Sequence, residues 1–150
     1  MKLAHIDGRA ALVLGDQIAD VATASDGRFG PDPMALYDEW DEFRDFAATV
    51  TTTTGPLVEA ALRNPVPWPR QVFAIGLNYR GHAEEAGVAL PEVPAVFTKF
   101  PASLAGPFDD IAVSGPSVDW EVELVVVISR TADRVSTSDA WSHVAGVTIG

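Results

Sequence analysis

Apolar and polar residues alternate in short runs along most of this chain, and one longer helical period interrupts them. Lys2 to Ile6 and Ala10 to Leu14 are β-prone runs joined by Asp7-Gly8-Arg9, a turn signal. Gln17 to Val21 predicts a third strand. Thr23 to Pro33, rich in Gly, Pro and Asp, reads as loop. From Pro33 to Ala48 the period changes. Met34, Leu36, Tyr37, Trp40, Phe43 and Phe46 fall at roughly helical spacing and predict one helix. Asp38, Glu39, Asp41, Glu42 and Asp45 give that helix an acidic, solvated face. Thr51 to Thr54 is a short polar β-prone run, and Leu57 to Arg63 suits a further helical turn or two.

Asn64-Pro65-Val66-Pro67-Trp68-Pro69 follows. Its prolines favour an extended, stiff segment, which places a domain boundary there. Residues 1–65 then form a small N-terminal domain of helix and strand, and residues 66–150 a second region. Beyond the connector, Gln71 to Leu77 reads as a buried strand, Tyr79 to Ala86 as a short helix ended by Gly87, and Ala95 to Phe100 as a strand. Ile111 to Val113 and Val118 to Ile128 are predicted strands, with turns around Gly106-Pro107 and Gly115-Pro116. Ser138 to His143 suits a helix with Ser138 as N-cap and Asp139 in the first turn. The fold class is α+β, mostly β. The last residues, Val144 to Gly150, are apolar and β-prone. Domains usually finish in polar, exposed segments, so this ending predicts an interrupted domain.

Composition narrows the partners. Of 150 residues, 47% are apolar, enough for a sizeable core. The net charge of −11 argues against nucleic acid and anionic membranes, while leaving an anionic small molecule open. The absence of cysteine excludes disulfides and thiolate zinc sites. No apolar run approaches the length of about 18 residues that a membrane span needs, and Met1 to Gly8 does not look like a signal peptide. A cytoplasmic protein is the expectation.

The segment Ser117 to Ile128 carries the strongest chemical signal. In a strand, side chains alternate between faces. Asp119, Glu121 and Glu123 would share one face, and Trp120, Val122 and Leu124 the other. Three aligned carboxylates repel one another, and a divalent cation with its preference for oxygen ligands relieves that. The same alternation also suits a solvent-facing edge. Val125 to Ile128, all apolar, predict a strand buried on both faces and so bring the carboxylates close to the core.

Two further groups stand out. In Gly76 to Gly87, His82 and Glu85 are three residues apart on a predicted helical turn. A carboxylate beside an imidazole raises its basicity and orients it, which suits a general base acting on water. The spacing is also that of an ordinary surface ion pair. In Phe97-Thr98-Lys99-Phe100-Pro101, the lone Lys99 either reaches the surface or meets an anion. His5 and His143 have no such context.

Together these segments resemble the fumarylacetoacetate hydrolase family. The pieces are Gly76-Leu77-Asn78-Tyr79-x-x-His82-x-x-Glu85, Pro94-x-x-Phe97-x-Lys99, Gly106-Pro107 with Ile111, Asp119-Trp120-Glu121-x-Glu123-Leu124, and Ala140 through Gly146-Val147-Thr148. Order and spacing both agree. Residues 1–65 resemble, more loosely, the small N-terminal domain of many bacterial members.

The resemblance implies a mixed β-roll, of which residues 66–150 are the first part. It implies Mg²⁺, or Mn²⁺ or Ca²⁺ in its place, with Glu121 and Glu123 as ligands and Asp119 as their neighbour. The family's third ligand, an Asp, would fall shortly beyond Gly150. It implies a substrate among the 2-oxo acids and 1,3-dicarbonyl compounds, such as an acylpyruvate or fumarylacetoacetate, with Lys99 as a substrate contact. The reaction is hydrolysis of a C–C bond, decarboxylation or isomerisation, with His82 and Glu85 activating water or shuttling protons. A homodimer is expected. The alternative is a truncated, inactive fragment with at most weak metal binding.

Overall fold

The computed structural model describes residues 1–150. Its first elements are β1 (Leu3–Ile6), β2 (Arg9–Leu14) and β3 (Gln17–Asp20), an antiparallel meander. Asp7 and Gly8 both take positive φ, 48° and 83°. That is the two-residue turn whose twist matches the flanking strands, and Gly8 adopts it without steric cost.

The expected strand from Gln17 to Val21 stops at Asp20. The Asp20 carboxylate accepts the Thr23 amide at 2.9 Å and starts a single helical turn, α1 (Val21–Ala24). The same carboxylate takes two hydrogen bonds from the Arg9 guanidinium, at 2.8 and 2.9 Å.

The helix expected over Pro33 to Ala48 is two helices, α2 (Pro33–Asp38) and α3 (Trp40–Ala47). Asp32 caps the first through the Met34 amide, with Pro33 at a position where no amide is needed. Between them Glu39 leaves helical geometry (φ −123°, ψ 37°), and its amide bonds to the Leu36 carbonyl three residues back. The break coexists with a tight aromatic cluster. Tyr37 stacks on Trp40 at 5.3 Å, and Phe29 meets Phe43 edge-on at 5.5 Å. Ala10 and Leu12, two apart on β2, face this cluster with Ala19, Val21 and Leu36. Burying Phe43 fully contributes roughly 1.5–3 kcal/mol.

Instead of one or two helical turns, Leu57 to Arg63 holds one 3-10 turn, Glu59–Ala61. Two short strands, β4 (Gly55–Pro56) and β5 (Leu62–Arg63), complete a five-stranded antiparallel sheet of order β4-β3-β2-β1-β5. Two side chains then grip the start of the connector. His5 Nδ1 lies 2.9 Å from the Asn64 carbonyl, and the Tyr37 hydroxyl donates to the Pro65 carbonyl at 3.2 Å.

Residues 1–67 and 106–150 form one compact unit, and residues 68–105 form another. The second unit contains β6 (Val72–Gly76), α4 (Arg80–Glu85) and β7 (Ala95–Lys99), with β6 and β7 an antiparallel pair. β6 was expected to be buried. Phe73 and Ile75 are instead exposed, because a two-stranded ribbon offers no second layer to cover them.

In the first unit, β8 (Leu124–Ile128) pairs antiparallel with β9 (Val144–Ile149), with an irregularity at Val127 and Ile128. The strand expected from Val118 is therefore shorter. Its ladder ends where Glu123 meets Gly150, and residues 118–122 have no partner strand. Ile111 to Val113 is likewise irregular. Burial of β8 on both faces is not observed: Leu124, Val126 and Ile128 are about half exposed. The helix expected at Ser138 is a 3-10 turn, Ala140–His143. Ser138 does not cap it; the Asp139 amide turns to the Ser136 hydroxyl at 3.3 Å.

Candidate functional site

The carboxylate segment enters its strand from an irregular stretch. Glu123 exchanges both backbone hydrogen bonds with Gly150, at 2.8 and 2.9 Å, so its backbone is fixed. Glu121 and Asp119 precede the ladder. All three residues are exposed. The Asp119 carboxylate accepts its neighbour's amide, from Trp120, at 2.9 Å. No Lys or Arg forms an ion pair with any of the three. The pair Glu121 and Glu123 thus presents hard oxygen donors without a competing internal cation. Such donors fit Mg²⁺, Mn²⁺ or Ca²⁺ in kind. In number they are part of a shell: no group of three His, Asp or Glu converges in this chain.

His82 and Glu85 lie one turn apart on α4, as the spacing predicts. Both are exposed, and no hydrogen bond joins them. The expected contact is not formed, and an exposed pair at this spacing contributes only about 0.2–0.5 kcal/mol. Ala83 is the residue that α4 buries. Just ahead of the helix, Leu77 takes a positive φ of 54°. A bulky side chain in that region stores strain of about 1–3 kcal/mol, and it sits within the segment that links β6 to His82.

Lys99 is the last residue of β7 and pairs in register with Val72. It lines an open groove of about 250 Å³ with Arg70, Phe73 and Phe100. Two cations beside two rings suit a planar anion such as a carboxylate. The sequence reading missed Arg70. Its signal was available, since an antiparallel β6–β7 ribbon carries the residues preceding β6 toward the end of β7.

Two ionisable groups are strongly perturbed, and neither is a predicted site residue. The Arg9 guanidinium holds the Asp20 carboxyl well below the usual carboxylate range, assisted by the Thr23 hydroxyl and amide. Burial pushes the Tyr37 phenol up to about 12. Both belong to the N-terminal framework.

Fold and side chains together define a mixed α and β protein, mostly strand, with an exposed carboxylate pair at the head of a paired strand. The model of the C-terminal region of fumarylacetoacetate (FAA) hydrolase matches residues 71–150, more than half of the chain. The chain belongs to the fumarylacetoacetate hydrolase family.

A Mycobacterium smegmatis protein solved under the designation HpcE superposes with a TM-score of 0.89 at 48% identity, over 100% of this chain and 54% of that one. Maleylpyruvate hydrolase from Sphingobium sp. SYK-6, solved in complex with manganese(II) ion and pyruvate, superposes with a TM-score of 0.75 at 29% identity, over 99% of this chain and 57% of that one. The human mitochondrial oxaloacetate tautomerase FAHD2B is 42% identical over 96 residues, which are 63% of this chain and 31% of that protein. The chain spans about half the length of these solved structures and about a third of the human relative.

Proposed function

We propose that this chain forms part of a divalent-metal-dependent enzyme acting on 2-oxo acid or 1,3-dicarbonyl substrates, by C–C bond hydrolysis, decarboxylation or isomerisation. The observation that carries this reading is the Glu121-x-Glu123 pair, free of internal cations and pinned at Glu123 by the strand ladder. It occurs in a chain similar to a hydrolase that holds manganese and pyruvate. Glu121 and Glu123 would hold the metal, Mg²⁺ in the first instance with Mn²⁺ or Ca²⁺ as substitutes, and Asp119 would support them from beside. When bound, the cation supplies Lewis-acid polarisation of the substrate's 2-oxo group. His82, oriented by Glu85, takes or returns a proton. Lys99, with Arg70 across the groove, binds the substrate carboxylate. Residues 1–65 are a small N-terminal domain and residues 66–150 the first part of the catalytic domain. The protein works in the cytoplasm as a homodimer.

A second reading has its own support. Two carboxylates without a third converging group make a weak metal site, so the 150-residue chain alone would bind metal loosely and turn over nothing. The test is Mn²⁺ titration by water-proton relaxation, followed by oxaloacetate and acylpyruvate turnover with Mg²⁺. Binding that Glu121→Gln and Glu123→Gln each abolish, with turnover, supports the enzyme. Binding without turnover supports the second reading. Binding that survives both substitutions sinks the assignment of the carboxylate pair.

A further inference from the structure

The β8–β9 hairpin is tied at its closed end to the N-terminal elements. Arg130, two residues past β8, forms an ion pair with Asp41 in the first turn of α3. Ala145, the second residue of β9, packs against the aromatic core cluster. The Ser129 amide donates to the His143 carbonyl at 3.0 Å and joins the two strands at this end. At the opposite end of the same two strands stands the Glu123–Gly150 pair.

Both side chains of the Arg130–Asp41 pair are part-exposed, at 43% and 42%, but the two Asp41 oxygens differ. Asp41 Oδ1 is shielded from water and accepts no hydrogen bond, with the Arg44 guanidinium 3.6 Å away. The other oxygen is the one that Arg130 holds. A carboxylate partly removed from water depends on the cations beside it, so loss of Arg130 leaves Asp41 with Arg44 alone. Leverage follows from strand geometry. Each strand residue advances about 3.4 Å, so a small rotation at Arg130 is multiplied across the five residues of β8 before it reaches Glu123.

We propose that residues 1–67 anchor the hairpin that carries Glu123, and that Arg130 and Asp41 are positioning residues for the carboxylate pair. The inference deepens, and rests on, the metal reading of Glu121 and Glu123.

The test uses the 150-residue chain with Arg130→Glu, Asp41→Arg, the double reversal, and Arg130→Lys as the charge-conserving variant. Two quantities are read: amide hydrogen exchange along β8 and β9, and Mn²⁺ affinity by water-proton relaxation. Each single reversal is expected to speed exchange at Val125 to Val127 and to weaken Mn²⁺ binding, each by about fivefold. The double reversal and Arg130→Lys are expected to restore both. Single reversals that leave exchange and Mn²⁺ affinity unchanged overturn the proposal, and so does a double reversal that restores neither. If the unaltered chain takes up no Mn²⁺, the metal reading fails by itself and the positioning role falls with it, while exchange still decides whether the anchor exists.

Discussion

Glu123 and Gly150 exchange both of their backbone hydrogen bonds, at 2.8 and 2.9 Å. The residue proposed to grip a metal is therefore held in place by the last residue of the sequence. Deleting Gly150 should release the Glu123 amide. Hydrogen exchange there is expected to speed up by about tenfold, the size of one lost hydrogen bond. The thermal midpoint of the Trp40 environment should stay put, because β9 meets the core around Trp40 at Ala145, the end of the strand away from Gly150.

The two glutamates and Asp119 should separate in strength. Glu121→Gln and Glu123→Gln each remove a charged oxygen donor, and each is expected to weaken Mn²⁺ binding by at least about tenfold. Asp119→Asn acts on a neighbour and should cost less than either. Titration calorimetry of the three variants gives the order, and an Asp119 variant as weak as the glutamate variants would reverse the roles assigned here.

His82 should affect chemistry rather than metal affinity. His82→Ala is expected to leave Mn²⁺ binding within about twofold of the unaltered protein and, in a form that turns over 2-oxo acids, to lower kcat by about 10²–10⁴. Glu85→Gln should give a smaller loss. Steady-state kinetics beside a metal titration separates the two effects.

Asp20 sets an acid limit on the N-terminal sheet. Its folded pKa lies below the ordinary value. The stabilisation is therefore complete above roughly pH 4, the unfolded value, and is lost as pH falls through the folded one. Arg9 is half exposed, so the ion pair adds little beyond the cap. Asp20→Ala should cost about 1–2 kcal/mol, chiefly as a lost helix cap. It should also flatten the acid limb of a pH-resolved urea titration.

Phe43 tests the core. It is fully buried between Phe29 and Trp40, and Phe43→Ala should cost about 3–5 kcal/mol. Denaturant unfolding followed by Trp fluorescence measures it.

What could be read in advance divides along physical lines. The β1–β2 turn was legible because Asp7-Gly8 encodes it locally. The aromatic spacing from Met34 to Phe46 correctly marked a buried face, yet hid the break at Glu39, since periodicity records which face is covered and not where the hydrogen-bond ladder skips. The β6 and β8 runs misled in the opposite sense. Phe73, Ile75, Leu124 and Val126 are apolar on a scale that asks for cover, but composition cannot name the layer that supplies it, and within this chain none does. The Glu121-x-Glu123 spacing was visible in the sequence, but the strand expected to set a common face for the two begins only at Leu124. The His82–Glu85 contact was not decidable from spacing, because solvent settles whether a pair one turn apart closes.

The grip of His5 and Tyr37 on the consecutive carbonyls of Asn64 and Pro65 has a mechanical meaning. With its proton held up to about 12, the Tyr37 phenol remains a donor at any physiological pH. The backbone is thus held through Pro65. Beyond that point Pro67 and Pro69 lock two of the φ angles of the connector. Trp68 sits between those prolines, 77% exposed, and its fluorescence anisotropy would report the stiffness of this segment directly.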